Sequence, residues 1–139
     1  MTRVRVAFAL VHRCQDLPNT SKSLMAKNYS ELYEHLQALT GRLGAEMPDT
    51  MGGFASLHKN ATAEGALSAR TEELVAWGIA VAVRCDGCIA YHVHDALSAG
   101  ASKDEIVEII GVAMLMGGGP ALMYGAEAYE ALEQFSAAP

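Results

Sequence analysis

The chain has 139 residues, of which 51% are hydrophobic and only 6% aromatic, and it carries a formal charge of -6. That length suits one domain with a proper core, and an apolar content drawn from Ala, Leu, Val, Ile and Met rather than rings favours helices. The acidic balance, with no block of Lys and Arg, argues against a nucleic-acid partner.

Along the chain, MTRVRVAFALVHRCQD opens with two arginines and the short apolar run VAFALV, with no small-residue cleavage site after it. It is read as an N-terminal arm over residues 1–25, of uncertain order, ahead of a single helical domain over residues 26–139. Gly78, Arg84 and charged residues interrupt every apolar run short of the roughly 18 to 20 residues that span a bilayer, so no membrane association is expected.

From Asn28, the residues Tyr29, Leu32, Tyr33, Leu36, Leu39 and Leu43 recur at helical spacing and predict a first helix ending near Gly44. Pro48 suits the first turn of a second helix reaching about Lys59, although Gly52-Gly53 weakens it. Thr71 is the expected N-cap of a third, with Glu72 and Glu73 at the positive end of its dipole and the run Leu74 to Val83 following. Cys85-Asp86-Gly87 interrupts that helix and starts a fourth, which Gly100 stops.

Ser102 and Glu105 form a capping box ahead of a fifth helix, Ile106 to Met116. Gly117-Gly118-Gly119-Pro120 breaks it, and a sixth helix runs from Pro120 to Phe135. The fold class is therefore all-α, an antiparallel bundle of about six helices. The third and fifth helices are apolar nearly all round, which in so small a chain calls for burial on more than one side. A homo-oligomer would supply the second surface; central placement in the monomer is the plainer alternative.

The chemistry concentrates in RCDGCIAYHVH, residues 84–94. On a helix, positions 85, 88 and 92 fall within about 60° of one another, so Cys85, Cys88 and His92 share a face. His94 points elsewhere and is expected at the surface or at a subunit contact. A zinc reading needs a second close ligand pair, but Cys14, His12, His35 and His58 stand isolated on unrelated segments. A packing reading treats the thiols and the histidine as core. The redox reading uses more of the residues. Two cysteines three apart at a helix N-terminus can close a disulfide, the dipole favours a thiolate, and His92 can move a proton. Three cysteines with two in one motif also fit a reducing cytoplasm rather than a disulfide scaffold.

Other candidates read more simply as structure. Trp77, Tyr91 and Tyr124 could line a pocket but are more naturally core, Met114 and Met116 are packing, and Asp86 is a helix-start carboxylate. The glycine run lacks the Lys-Ser/Thr ending of a phosphate loop. Glu73, in a first turn, could merely complement the dipole. Along a straight helix it would stand about 18 Å from Cys85 at 1.5 Å per residue.

The stretch ELVAWGIAVAVRCDGCIAYH, Glu73 to His92, resembles the alkyl hydroperoxidase D-like branch of the carboxymuconolactone decarboxylase family. That pattern is a glutamate twelve residues before a Cys-x-x-Cys-x-x-x-His motif. ALSAGASKDEI and AMLMGGGPAL extend the likeness over roughly residues 28–135. The resemblance implies a trimeric or hexameric thiol peroxidase acting on a hydroperoxide substrate, with an external dithiol or disulfide reductase as electron donor. Cys88 would be oxidised, Cys85 would resolve it, and Glu73 and His92 would relay protons. Well-studied members carry a histidine between the cysteines, where this chain has Gly87. No cofactor and no metal is expected. The rival readings are a decarboxylase or lactone-processing enzyme, for which a dithiol has no use, and a non-catalytic redox-sensing oligomer.

Overall fold

The structure, a computed structural model, describes residues 27–137; the arm expected over residues 1–25, with His12 and Cys14, lies outside them. Every regular element among the described residues is a helix: α1 (Tyr29–Glu46), α2 (Pro48–Ala61), α3 (Ala69–Val83), α4 (Asp86–Ser98) and α5 (Lys103–Ala137). The fifth and sixth expected helices are continuous except at Gly118, whose φ of 67° and ψ of -155° kink α5 into two segments. That positive φ is open to glycine and costly for other residues.

Local chemistry sets the helix starts. The Asn28 side chain accepts the Glu31 N–H at 3.0 Å, and Pro48 occupies the first turn of α2. For α3 the expected cap was displaced: Ser68, not Thr71, is the N-cap, and its hydroxyl accepts the Thr71 N–H at 3.2 Å. At α5 the capping box is reciprocal, with Glu105 N–H donating to Ser102 Oγ at 3.2 Å and Ser102 N–H to Glu105 Oε2 at 2.8 Å.

The core is built where α3 packs on α4 and α5, with α1 laid across α4 and α5. Trp77, Tyr29, Ile89, Ile106, Leu132, Val81 and Val93 are its largest fully buried side chains. Trp77 is thus core, and its indole N–H donates to the Ile106 carbonyl at 3.2 Å. The start of α1 is tied to the end of α5: Tyr29 N–H donates to Gln134 Oε1 at 2.7 Å, and Gln134 Nε2 donates to the Lys27 carbonyl at 2.8 Å. Lys27 also bonds Asp86 at 3.0 Å and Glu127. Partial burial works against its charge, but those hydrogen bonds prevail and hold its pKa above the usual lysine value.

Among the described residues the backbone of α2 approaches only α1, and no α2 residue is buried. The outer side of α3 and of the first α5 segment is apolar and open, with Val75, Ile79, Val83, Val112, Leu115 and Met116 all exposed. Met114 packs against the core as expected, whereas Met116 is 79% exposed among the described residues. By length and composition α5 could cross a membrane, contrary to the reading from sequence interruptions. Its inner side, however, supplies Ile106, Ile110, Ala113, Ala128 and Leu132 to the core.

Candidate thiol site

The site begins where α3 ends. Arg84 takes the left-handed conformation (φ 63°, ψ 50°). Cys85 N–H donates to the Ala80 carbonyl at 3.1 Å, and Arg84 N–H to that of Val81 at 3.2 Å. These two bonds form a Schellman ending, which normally has glycine at the left-handed position. The reversal delivers Cys85 directly to the N-cap of α4, where its Sγ accepts the Cys88 N–H at 3.2 Å.

Cys85 and Cys88 are joined by a disulfide with a Cα–Cα distance of 5.2 Å, within the usual range for such a bridge. Both are half-buried. In the reduced state, the free N–H groups and positive dipole end of α4 would stabilise a thiolate at this point. Gly87 sits between them, and a Cβ there would meet Leu36 Cδ1 at 2.9 Å. The apolar end of Leu36, from α1, thus fills the space beside the motif.

One turn beyond Cys88, His92 Nδ1 lies 2.9 Å from Glu73 Oε2. Glu73 is the one polar or charged residue among the buried side chains of the described residues, 6% exposed. The distance that separates Glu73 from Cys85 along α3 is bridged because α4 returns beside α3 and brings His92 to the carboxylate. No partner subunit is needed for that contact. A carboxylate on Nδ1 fixes the ring and leaves Nε2 for proton transfer.

Further groups crowd this flank. His58 of α2, passed over in the sequence as isolated, stacks on His92 with ring centroids 6.4 Å apart. Ligand atoms of His58, Glu73 and Asp95 lie within 4.8 Å of one another. His94 is half-buried, stacks on Tyr33 at 4.5 Å, and its Nδ1 lies 2.8 Å from Asp95 Oδ1. Burial first, then Asp95 and Tyr91, raises the Tyr33 pKa, so its hydroxyl stays protonated. Tyr91 packs on Tyr33 at 4.8 Å, and Tyr124 lies beneath the Lys27 ammonium at 5.3 Å. Asp86 is the first-turn carboxylate of α4 and the ion-pair partner of Lys27.

The fold and site together define an all-helical protein with a dithiol at a helix start, backed by a histidine–carboxylate pair. The sequence profile of the carboxymuconolactone decarboxylase family matches residues 48–131, and the chain belongs to that family. A solved member from Legionella pneumophila is 44% identical and superposes with a TM-score of 0.75, covering 78% of this chain and 96% of its own. A Thermotoga maritima member, for which a part in the antioxidative response has been suggested, is 26% identical with a TM-score of 0.68 over 76% of this chain and 90% of its own. An uncharacterized Cupriavidus necator protein shares 38% identity over 88 residues, 63% of this chain and 78% of its own.

Proposed function

We propose that this protein is a thiol-dependent peroxidase of the alkyl hydroperoxidase D-like type. The observation that carries the reading is the bridged Cys85–Cys88 pair at the α4 N-terminus, with His92 one turn on and bonded to a buried Glu73. In the reduced enzyme the Cys88 thiolate attacks the terminal oxygen of a hydroperoxide. The O–O bond breaks, Cys88 becomes a sulfenic acid, and the alcohol leaves with a proton supplied through His92. The Cys85 thiol then displaces the sulfenic hydroxyl as water and closes the disulfide. An external dithiol, or a disulfide reductase acting through one, supplies two electrons and two protons to restore both thiols.

The suggested antioxidative role of the Thermotoga maritima relative supports the same reading. The proposal includes a cytoplasmic setting, where a reducing thiol pool keeps the cycle running, and a homotrimer or homohexamer. The deciding experiment counts free thiols before and after one equivalent of peroxide and then measures turnover with a dithiol present. An enzyme cycles, a redox sensor oxidises once, and a decarboxylase leaves the thiols untouched.

A further inference from the structure

We propose that His58, Glu73 and Asp95 form a binding site for a divalent first-row transition metal, with zinc as its representative. The three residues come from α2, α3 and α4, so the site exists only where three helices converge. Their ligand atoms lie within 4.8 Å of one another. Around zinc, ligand atoms bonded at about 2.0–2.2 Å in a tetrahedron stand about 3.4 Å apart, so closure draws the atoms together by up to about 1.4 Å. His58 can make that shift, being exposed on a helix with no buried residue.

The donor set selects the ion. Magnesium and calcium take oxygen ligands, whereas one imidazole nitrogen with two carboxylate oxygens suits zinc and its neighbours in the first row. Two carboxylates also balance the charge of a divalent ion, and water completes the coordination. Glu73 already gives Oε2 to His92 at 2.9 Å; a carboxylate has a second oxygen, so it can hold the ring and the metal together. The His58 ring, stacked at 19° to His92, already faces this cluster. The thiols take no part, which sets this site apart from a cysteine-bound zinc.

The test is calorimetric titration of zinc chloride into the full chain in its disulfide form, in a Cys14→Ser background and a non-chelating buffer. With the disulfide closed there is no peroxide turnover, so the result stands or falls independently of the peroxidase reading. One zinc per chain is expected, with no heat from magnesium chloride. His58→Ala and Asp95→Asn should each weaken zinc binding by more than the about tenfold that loss of even a supporting partner costs. Cobalt(II) should give a visible absorption band in the parent protein that His58→Ala loses. His58 is exposed, so its variant keeps the fold and decides the matter even if Asp95→Asn is destabilised. Absence of zinc binding by the disulfide form, or unchanged affinity in His58→Ala, overturns the proposal.

Discussion

At the scale of single residues, Cys88 and Cys85 differ in position as well as in proposed role. Cys85 caps α4, while Cys88 lies inside its first turn and packs against the core. Cys88→Ser is expected to abolish peroxide consumption. Cys85→Ser should still oxidise once and leave a sulfenic acid that a trapping reagent labels on Cys88; mass spectrometry showing the label only on Cys85 of the Cys88→Ser protein would reverse the two roles. Glu73→Gln keeps a hydrogen-bonding amide beside His92 and removes only the charge, and His92→Ala removes the base. Each should slow peroxide reaction near neutral pH by about 10²–10⁴-fold, the usual worth of positioned acid–base assistance. Raising the pH should partly restore both, since the thiolate then forms without a base. A pH–rate profile checked by circular dichroism would expose Glu73 as purely structural if its variant ran at wild-type speed. Spacing made Cys85, Cys88 and His92 legible on one face. Glu73 was legible only through a resemblance, because its contact depends on where α4 returns beside α3, and nothing in the α3 sequence encodes that.

At the scale of elements, the helix ends follow local rules with instructive exceptions. Ser102 and Glu105 were readable because a capping box is a local pattern; Thr71 misled because Ser68, three residues earlier, starts the helix and accepts Thr71's own N–H. Arg84 occupies a left-handed position that ordinarily selects glycine. Arg84→Gly should therefore raise stability by about 1 kcal/mol, the penalty of that conformation for an L-residue, as a higher urea midpoint with unchanged slope. Ser102→Ala should lower stability by about 1 kcal/mol through loss of the cap. The Ser102 backbone N–H and hydroxyl hold the Glu105 carboxyl below the usual glutamate range. A depressed carboxylate stabilises above its unfolded-state pKa and loses that contribution as pH falls through its folded value. The melting-temperature gap between wild type and Ser102→Ala should accordingly shrink as the solution is acidified through and below the glutamate range; a gap independent of pH would mean the hydroxyl alone caps the helix.

At the scale of the molecule, the all-round apolar character of two helices was plain in the sequence, and the structure shows what it leaves uncovered. Val75, Ile79 and Val83 of α3 line up with Val112, Leu115 and Met116 of α5 on one open side, a patch of the kind that marks an interaction surface. Light scattering at micromolar concentration should return three or six times the mass of one chain. Leu115 is 82% exposed in the single chain, so Leu115→Glu should leave the fold intact and shift the protein toward smaller species; a monomeric wild type would refute the assembly. The convergence of His58 on Glu73 and Asp95 was hidden from the sequence for a different reason. Three residues on three helices share no periodicity, and only the docking of α2 brings the first to the others.

That docking is slight. Among the described residues the α2 backbone approaches only α1 and no α2 side chain is buried, and Gly52 and Gly53 each weaken the helix by about 1 kcal/mol relative to alanine. From that helix the His58 ring reaches His92, Glu73 and Asp95. An ion that requires His58 sees only the fraction of molecules in which α2 is seated, and its apparent affinity is the intrinsic one scaled by that fraction. Conversely, ion capture would draw the population toward the seated state. The helix with the fewest ties among the described residues then becomes the one whose seating reports the ion concentration around it.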